Sequence, residues 1–468
     1  MLLDVEKLKY CYECGVCTAC CPMVELLPKQ YHPRTLLQRT LFDLKAVLKG
    51  TELWLCAWCY SCYRRCPQKL KLPEIFSAVK KIAVQEGHLN GFQEATELIR
   101  KEIPLPAVCN HVCFHPERAE MGVDIGYETA EGEEKPPPQP KNLEKIAIVG
   151  SGPAGLTAAC ELTKTGYQVT IFEAHSELGG MLRACMPSYR LPRTVLDAEI
   201  KRIKRLGVEI KTGVTIGADL AFEGLSQEGY KAVFIATGAH KGRELRIEGT
   251  DLQGVIHALD FLRRANSGAK VDIGQRVGVI GGGNVAVDAA RTALRLGAKE
   301  VSILYRRSLE EMPANPWEVK EAQNEGVKIE LLVSPRRIVG KSGRVTAIEC
   351  NRVELGELDE TGRRRPIPIE GSAFTMELDT VILAVGEKPD LSFLPDEVEV
   401  SENGTIIVDP VTMETSLPGV FAGGDVVLGP ATVIEAIAAG KRAALSIDCY
   451  LAGVRSRKVE VSVRHEGR

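Results

Sequence analysis

The sequence predicts an α/β protein in which two parallel-sheet units follow a helical, cysteine-rich amino-terminal region. Three observations carry this prediction. Eight of the nine cysteines in the first 66 residues fall into two runs of identical spacing. Two short apolar strands, KIAIVG (145–150) and RVGVIG (276–281), each lead directly into a glycine-rich turn. A proline-rich segment separates the cysteines from the first of these strands.

Both cysteine runs have the spacing Cys-x2-Cys-x2-Cys-x3-Cys-Pro, which is typical of [4Fe–4S] ligation. Zinc ribbons space their cysteine pairs differently, so we favour iron–sulfur over zinc and over disulfides. A fourth cysteine followed by proline characteristically ligates the other cluster of a two-cluster ferredoxin. Cys20 is an alternative to Cys21, which we prefer because Cys21-Pro22 repeats the Cys-Pro step. The predicted ligands are Cys11, Cys14, Cys17, Cys21, Cys56, Cys59, Cys62 and Cys66.

The region around these cysteines is predicted to be a helical iron–sulfur domain over residues 1–128. Between the two runs, TLLQRTLFDLKAVLKG (35–50) has leucines at helical spacing, which suits a helical ferredoxin. Residues 129–142, TAEGEEKPPPQPKN, are acidic and then proline-rich, without apolar periodicity. Because consecutive prolines fix φ and remove amide donors, this segment is predicted to be an extended linker.

The first glycine loop is predicted to bind FAD. Gly150 permits the tight turn, Gly152 lets a pyrophosphate approach the backbone, and Gly155 lets the following helix pack on the strand. The helix amino terminus adds amide donors for the phosphates. The next strand, QVTIFEA, ends in Glu173, 18 residues after Gly155, where a carboxylate can accept ribose hydroxyls.

The second glycine loop repeats this pattern over Gly281, Gly282, Gly283, Asn284 and Val285, with Ala286 in the third glycine position. Its second strand, EVSILYRRS, ends in Arg306 and Arg307 instead of an acid. Guanidinium groups there can bind a 2′-phosphate, which a carboxylate would repel, so the loop is predicted to bind NADPH in preference to NADH. The alternative for the arginine pair is a solvated turn.

The chain then returns to the first unit through GVFAGGD (419–425) and an alanine-rich helix that starts near Thr432. This order of unit, inserted unit and return is that of a two-dinucleotide flavoprotein of the disulfide-reductase type. The predicted fold is therefore α/β, with two Rossmann-like dinucleotide-binding domains preceded by a helical dicluster ferredoxin domain. We assign 143–260 and 385–468 to FAD binding and 261–384 to NAD(P) binding.

Several motifs resemble the small subunit of glutamate synthase and its relatives, which include the flavin subunit of electron-bifurcating transhydrogenase and the amino-terminal half of dihydropyrimidine dehydrogenase. The resemblance runs from about residue 52 to the end of the sequence. The motifs are IPLPAVCNHVC (103–113), ELGGMLRACMPSYRLP (177–192), FIATG (234–238), YRRSLEEMPA (305–314) and FAGGDVVLGPATVIEAIAAGK (421–441).

This resemblance implies further cofactor contacts. It implies Asp425 on the ribityl chain of FAD, and Thr432 and Val433 at the isoalloxazine. For the nicotinamide nucleotide it adds the turn Ala384, Val385 and Gly386. The full set implied for FAD is Gly150, Ser151, Gly152, Pro153, Ala154, Gly155, Glu173, Gly180, Met181, Arg190, Asp425, Thr432 and Val433.

The first cysteine run, CYECGVCTACCP, resembles a different group, the dicluster subunits of heterodisulfide reductase and of anaerobic glycerol-3-phosphate dehydrogenase. The glutamate synthase group also has two further cysteines after IPLPAVCNHVC, and this chain lacks them. Cys109 and Cys113 stand alone, with Glu117 and Met121 in place of the missing pair. We therefore expect two clusters, and a third held by Cys109, Cys113 and Glu117 is the alternative.

Composition narrows the function classes. With 44% hydrophobic residues and a net charge of −3, the chain has no basic excess for nucleic acid or an anionic membrane. Neither a signal peptide nor a run of 18 apolar residues is found, so no membrane span is expected. Fifteen cysteines in such a chain predict reduced thiols that serve metals, in the cytoplasm.

The predicted function is an NAD(P)H-dependent flavin and iron–sulfur oxidoreductase, acting as the electron-transfer subunit of a hetero-oligomer. Hydride transfer to a flavin needs stacking and orientation, so no catalytic acid or base is predicted. A lone Cys185, without Cys-x2-Cys in either nucleotide unit, argues against thioredoxin-reductase-like disulfide exchange. The expected partner is of low potential: a ferredoxin, a hydrogenase or a heterodisulfide-reductase-like complex.

Two other functions stay open. In the first alternative, the chain is a glutamate synthase small subunit that delivers electrons to an amidotransferase, and the extra cysteine run argues against this. In the second, it is a non-catalytic docking or redox-sensing protein, and the intact glycine loops argue against that. The flavin would bifurcate electrons if its own potentials and those of the clusters allow it.

Overall fold

A computed structural model describes residues 11–114, 144–359 and 362–454. The predicted linker at 129–142, together with Glu117 and Met121, lies outside the described residues. The chain forms two compact units. The first consists of the described parts of Met1–Gly180, Arg190–Gly238 and Leu391–Arg468, and the second of Met181–Tyr189 and the described parts of Ala239–Asp390.

The cysteine region is helical, as its leucine spacing predicts. Prolines with fixed φ begin several of its helices, at Pro22, Pro33 and Pro106. Its core is built around Trp54, which is fully buried and meets Phe92 edge to face at 5.1 Å. The helices are α1 (Val16–Ala19), α2 (Pro22–Leu26), α3 (Pro33–Phe42), α4 (Leu44–Lys49), α5 (Ser61–Arg65), α6 (Leu72–Gln85), α7 (Asn90–Glu102) and α8 (Pro106–Cys109), with a 3₁₀ turn at Glu52–Leu55 and a π-helical turn at Asn110–Phe114.

The rest of the first unit is a five-stranded parallel sheet in the order β16-β4-β1-β2-β3. Its central strand is buried on both faces, which explains its continuous apolar sequence. Its strands are β1 (Lys145–Val149), β2 (Gln168–Glu173), β3 (Glu209–Thr212), β4 (Tyr230–Ile235) and β16 (Val420–Ala422). Its helices are α9 (Pro153–Thr165), α11 (Arg193–Arg205), α12 (Gly224–Gln227), α16 (Asp425–Leu428) and α17 (Val433–Leu451). Because β16 pairs with β4, the chain returns to the first sheet after the second unit, as predicted.

The second unit contains another five-stranded parallel sheet, in the order β6-β14-β7-β8-β9. Its core packs alanine and valine side chains of α14 against the apolar face of β7. The strands are β6 (Val255–His257), β7 (Arg276–Ile280), β8 (Glu300–Tyr305), β9 (Lys328–Leu331) and β14 (Thr380–Leu383), and the helices are α10 (Met181–Ala184), α13 (Ala258–Asn266), α14 (Asn284–Arg295) and α15 (Pro316–Asn324), with a 3₁₀ turn at Leu309–Glu311.

Two smaller sheets complete the second unit. An antiparallel sheet has the order β10-β11-β12, and β13 also pairs with β11. A two-stranded antiparallel ribbon joins β5 to β15. These strands are β5 (Lys241–Gly242), β10 (Val333–Lys341), β11 (Arg344–Leu358), β12 (Arg364–Pro368), β13 (Phe374–Glu377) and β15 (Glu387–Lys388).

Candidate functional site

The predicted cluster ligands separate into two sets that each combine both cysteine runs. The first set, called here the outer set, lines one pocket together with Gly15 and Arg34. The outer set comprises Cys11, Cys14, Cys17 and Cys66. Cys14 is exposed, and Tyr12 beside it is 70% exposed, so this set lies close to the surface of the unit.

The second set, called here the inner set, is more deeply buried. Burial raises the pKa of Cys21 well above the usual thiol value, and neighbouring Cys59 and Cys56 raise it further. Burial likewise raises the pKa of Cys62, and Cys56, Cys59, Cys21 and, least of all, Cys20 add to the effect. Cys21 of the first run therefore lies among the first three cysteines of the second run. The inner set comprises Cys21, Cys56, Cys59 and Cys62.

The backbone takes the same course through both runs. Glu13 and Trp58, each two residues after the first cysteine of its run, have φ of 52°. Gly15 and Tyr60, each directly after the second cysteine, have φ of 79° and 58°. Left-handed conformations are costly for non-glycine residues and persist where the surroundings require them. The shared pattern indicates that both loops are folded around the same kind of group.

The sulfur atoms also have backbone donors. The amide of Glu13 donates to Cys11 Sγ at 3.4 Å, and the amide of Leu70 donates to Cys66 Sγ at 3.5 Å. Such hydrogen bonds stabilise a thiolate and raise the reduction potential of a bound cluster. Each set offers four cysteine sulfurs, the ligand type and number of a [4Fe–4S] cluster, whose irons would bind them as thiolates and supply one-electron chemistry.

Cys20, the alternative to Cys21, also lies near Cys62, but it raises the pKa of that thiol less than Cys21 does. Its thiol donates to the carbonyl oxygen of Cys17 at 3.7 Å, and Arg65 lies close enough to lower its pKa against the larger effect of burial. Tyr31, which the sequence analysis missed, is 1% exposed and hydrogen-bonded to Cys56. A single tyrosine outside both motifs carries no sequence signal for this contact.

Cys109 and Cys113 are both buried and lie side by side in the segment that ends in a π-helical turn. A hydrogen bond to Cys113 and burial both raise the pKa of Cys109. The described residues bring these two thiols together, and the alternative third cluster also requires Glu117, which lies outside them.

The glycines of the first loop serve two different purposes. A Cβ at Gly150 would lie 2.6 Å from the carbonyl oxygen of Ala236, and a Cβ at Gly155 only 2.0 Å from that of Gly150. These two glycines are therefore required by packing within the protein. A Cβ at Gly152 would meet no atom within 4 Å, although it lies between them in sequence. The loop therefore leaves open space beside the backbone at Gly152, where a pyrophosphate would approach.

Glu173 lies where the sequence predicts, at the end of β2. Its carboxylate accepts hydrogen bonds from the amide of Ser151 at 3.0 Å and from the amide of His175 at 2.9 Å. The hydroxyl of Ser151 bonds to the same carboxylate and accepts from the amide of Gly179 at 3.0 Å. The glycine loop, the acidic strand end and the segment leading to Gly180 are thus joined, as a dinucleotide site requires.

Most of the remaining FAD candidates lie at the starts of helices. Pro153 and Ala154 are the first two residues of α9, and Gly152, the residue before them, offers no side chain to cap the helix. Met181 is the first residue of α10 in the second unit. Gly180 lies close to the loop, because a Cβ there would be 2.9 Å from Gly152 Cα. Arg190 belongs to the first unit. Asp425 begins α16 and accepts from the amide of Ala431 at 3.3 Å, while Thr432 caps α17 and Val433 is its first residue.

The second glycine loop has the same division of roles. A Cβ at Gly281 would lie 2.1 Å from the carbonyl oxygen of Ala384, and one at Gly282 would lie 2.5 Å from the ring of Tyr305. A Cβ at Gly283 would meet no atom within 4 Å. Asn284 Oδ1 accepts from the amide of Asn315 at 2.9 Å, which fixes the start of α14.

The turn after β14 also lies at this loop. The amide of Ala384 donates to the carbonyl oxygen of Ile280 at 2.8 Å, so the predicted Ala384–Val385–Gly386 turn adjoins the strand that carries the loop. Gly386 has φ of 111° and accepts from the amide of Arg243 at 2.8 Å. Val285, the second residue of α14, packs against the core of this unit.

The two arginines at the end of β8 differ in their surroundings. Arg307 is 3% exposed, and its guanidinium donates to Asp359 at 2.6 Å and to the carbonyl oxygen of Arg364 at 2.7 Å. Arg306 is exposed. The pKa of Arg306 is lowered, first because neighbouring atoms remove part of the solvent around its guanidinium, and then because the like charges of Arg307 and Arg363 disfavour its protonation. Arg306 is therefore the better candidate for binding a 2′-phosphate.

Arg306→Ala is expected to raise the KM for NADPH about 10- to 100-fold and to leave that for NADH nearly unchanged. Hydrogen bonds to a charged group contribute roughly 1.5–3 kcal/mol, and only NADPH has the 2′-phosphate. Steady-state kinetics with both nucleotides measure the effect, and Arg337→Ala, which removes an arginine paired with Glu349, is the control. An equal change for both nucleotides would contradict this role for Arg306.

Cys185 is 6% exposed, and burial raises the pKa of its thiol to about 12. A buried thiol with so high a pKa is not nucleophilic at neutral pH. Cys185→Ala is therefore expected to change the rate of NADPH oxidation less than about twofold. A loss of most activity without loss of bound FAD would show that this cysteine takes part in the reaction.

Comparisons with known proteins cover both regions of the chain. Residues 144–440 match the family model for pyridine nucleotide-disulphide oxidoreductases, and residues 7–70 match the 4Fe-4S dicluster domain. FprA from Mycobacterium tuberculosis has a similar fold, with a TM-score of 0.59, 23% identity, and coverage of 67% of this chain and 85% of FprA. Within the described part of the chain, no helix has the length and apolar character needed to cross a bilayer.

Three relatives are similar over most of the chain. The NADP(+)-dependent formate dehydrogenase subunit beta of Moorella thermoacetica is 43% identical over 85% of this chain and 61% of its own length. The NADPH-Fe(3+) oxidoreductase subunit beta of Geobacter sulfurreducens is 40% identical over 83% of this chain and 63% of its own. The glutamate synthase [NADPH] small chain of Azospirillum brasilense is 33% identical over 83% and 86%.

The chain thus spans about three fifths of the length of the first two relatives and most of the third. The matches confirm the predicted fold class, the resemblance to glutamate synthase small subunits, and the predicted cofactors, which are FAD, a nicotinamide nucleotide and two [4Fe–4S] clusters. The chain belongs to the pyridine nucleotide-disulphide oxidoreductase family and carries a 4Fe-4S dicluster domain ahead of the region that defines that family.

Proposed function

We propose that this chain is the NADPH-dependent electron-transfer subunit of a multi-subunit oxidoreductase. When bound, the flavin exchanges an electron pair with the nicotinamide, and the clusters exchange single electrons. We assign FAD to the loop Gly150–Gly155 with Glu173, NADP(H) to the loop Gly281–Val285 with Arg306, and one cluster to each cysteine set. The expected compartment is the cytoplasm, since the fifteen cysteines, all within the described residues, form no disulfide.

The contact between the cysteine region and α17 carries this proposal. Arg442 of α17 forms an ion pair with Glu25 of α2, with Nε 2.6 Å from a carboxylate oxygen. Lys441 donates to the carbonyl oxygens of Leu26 and Glu102, each at 3.4 Å. Because α2 directly follows Cys21, these contacts hold the inner cysteine set against the helix whose amino terminus is assigned to the isoalloxazine.

The two cysteine sets then have different roles. The inner set lies on the side of α17, so its cluster would exchange electrons with the flavin. The outer set includes the exposed Cys14, so its cluster would exchange electrons with a partner at the surface. This order lets electrons enter or leave the chain without exposing the reduced flavin to other acceptors.

The partner is proposed to be another oxidoreductase subunit or a low-potential carrier. The two relatives with the higher identities are named as beta subunits of a formate dehydrogenase and of an Fe(3+) oxidoreductase. The relative named as a glutamate synthase small chain has lower identity, which supports an amidotransferase partner less. Electron bifurcation and a ferredoxin, hydrogenase or heterodisulfide-reductase-like partner belong to the same proposal.

Anaerobic purification from the native host, followed by identification of co-eluting proteins, tests the partner. We expect a second oxidoreductase subunit, or a lone flavoprotein that oxidises NADPH with a one-electron acceptor. Co-elution of a large amidotransferase subunit, with glutamine- and 2-oxoglutarate-dependent NADPH oxidation, would favour the glutamate synthase function. An isolated chain that binds no FAD and oxidises no NADPH would contradict the proposal and favour a docking or sensing role.

A further inference from the structure

Glu435, in the first turn of α17, has two carboxylate oxygens with different partners. Oε2 accepts from the amide of Thr432 at 2.9 Å and from the hydroxyl of Thr432 at 2.7 Å, which closes a capping box. Oε1 accepts from the hydroxyl of Ser61 at 2.7 Å, 374 residues away in sequence. A capping box requires only one carboxylate oxygen, so the second contact serves a different purpose.

Ser61 is fully buried and lies between two inner-set cysteines, Cys59 and Cys62. Ser61 is also the first residue of α5 and donates its hydroxyl proton to Glu435, so Glu435 lies beside the loop that carries both cysteines. A hydroxyl carries one proton, so a bond to Glu435 leaves none for a ligand sulfur.

Arg64 completes this group. Its guanidinium donates to the carbonyl oxygen of Cys59 at 3.0 Å and to the Ser61 hydroxyl at 3.4 Å. Burial acts to raise the pKa of Glu435, but hydrogen bonds from Ser61 and Thr432 and the charge of Arg64 lower it overall. Glu435 is therefore an anion at neutral pH. A polar chain runs from Thr432, through Glu435, Ser61 and Arg64, to the carbonyl oxygen of Cys59.

We propose that Glu435, acting through Ser61, is a positioning residue that sets the reduction potential of the cluster held by the inner cysteine set. This inference rests on the proposed function. A nearby negative charge disfavours the reduced cluster, and a hydrogen bond to a ligand sulfur favours it. Glu435 contributes the charge and accepts the one proton of the Ser61 hydroxyl, which is then not available to a ligand sulfur, so both effects lower the potential.

The test is an anaerobic, EPR-monitored redox titration of the whole protein. Glu435→Gln keeps the capping box, since glutamine also serves at this position, but removes the charge. The inner-cluster potential is expected to rise by about 59 mV, equivalent to a tenfold change in its one-electron equilibrium with the flavin. Ser61→Ala removes the hydroxyl that donates to the Glu435 carboxylate while the anion stays, so the negative charge is less compensated and the potential is expected to fall.

Opposite shifts for the two variants distinguish this role from a structural one, because loosening of the contact would move both potentials in the same direction. Ser61→Thr, which keeps the hydroxyl, is expected to restore the wild-type potential. Glu311→Gln is the matched control, since Glu311 occupies the same place in the capping box of Ser308, in the second unit. It is expected to leave both cluster potentials unchanged.

Wild-type protein that oxidises NADPH and contains two clusters, combined with unchanged potentials in Glu435→Gln and Ser61→Ala, would overturn the inference and leave the proposed function intact. Shifts of the same sign in both variants would overturn it as well. If Glu435→Gln does not assemble, Ser61→Ala decides by itself, because only a fall in potential agrees with the inference. Wild-type protein without NADPH oxidation would instead refute the proposed function.

Discussion

Replacing Cys21 together with Cys56 is expected to remove one [4Fe–4S] cluster, whereas replacing Cys21 together with Cys17 is expected to remove both. Cys21 lies among Cys56, Cys59 and Cys62, while Cys66 lines the pocket of Cys11, Cys14 and Cys17. Loss of two ligands of the same cluster removes only that cluster, whereas loss of one ligand from each cluster removes both clusters. The number of clusters that each double variant retains therefore shows which cysteines bind the same cluster.

Iron and acid-labile sulfide content of anaerobically purified variants measures this prediction, with EPR of the reduced protein to count the remaining clusters. Iron should fall from about eight to about four atoms per chain for the first double variant, and to almost none for the second. Cys20→Ala, next to Cys21, is the control and should retain both clusters. The reverse pattern, with both clusters lost only when Cys21 and Cys56 are replaced, would show that each run binds its own cluster.

Gly152→Ala is expected to abolish FAD binding, and Gly283→Ala to abolish NADPH binding while FAD is retained. Neither glycine has a positive φ, with values of −69° and −89°, so alanine fits the backbone at both positions. A methyl group would meet no protein atom but would fill the space for the pyrophosphate. We expect binding to weaken at least about 100-fold, which corresponds to about 2.7 kcal/mol.

Flavin absorbance after gel filtration and calorimetric titration with NADPH measure these losses, and thermal unfolding of the apoproteins is the control. The apoproteins of Gly152→Ala and Gly283→Ala should unfold close to the wild-type temperature. Gly155→Ala, whose Cβ would lie 2.0 Å from the carbonyl oxygen of Gly150, should lower the unfolding temperature as well as FAD binding. Retention of FAD by Gly152→Ala would rule out this loop as the flavin site.

The order of the elements and the cofactor types could be predicted because their signals are local in sequence. Each glycine loop, with its strand and helix, fits within about 30 residues, and each cysteine run within about a dozen. At positions such as Gly150 and Gly281, any side chain would clash with the backbone, so the glycine itself is visible in the sequence. The return of the chain at β16 was predictable because GVFAGGD repeats the apolar strand and glycine turn.

The contacts between distant segments could not be predicted in this way. The motif Thr-x-x-Glu at Thr432 signals a capping box, but nothing in it indicates that Glu435 also bonds to Ser61. Similarly, the Arg-Arg pair after β8 gave no sign that Arg307 pairs with Asp359, 52 residues later, while Arg306 stays exposed. Such pairs depend on tertiary packing, and a single sequence contains no record of it.

The central claim is that the inner cysteine set connects the flavin to the outer set, and reoxidation of the reduced protein by NADP⁺ tests it most directly. Rapid-freeze-quench EPR would follow dithionite-reduced protein after mixing with NADP⁺. In Cys21→Ala with full FAD content, the flavin should reoxidise at the wild-type rate while the outer cluster stays reduced. In Cys66→Ala, the inner cluster should still be reoxidised by NADP⁺. Reoxidation of the outer cluster at the wild-type rate in Cys21→Ala would contradict the claim.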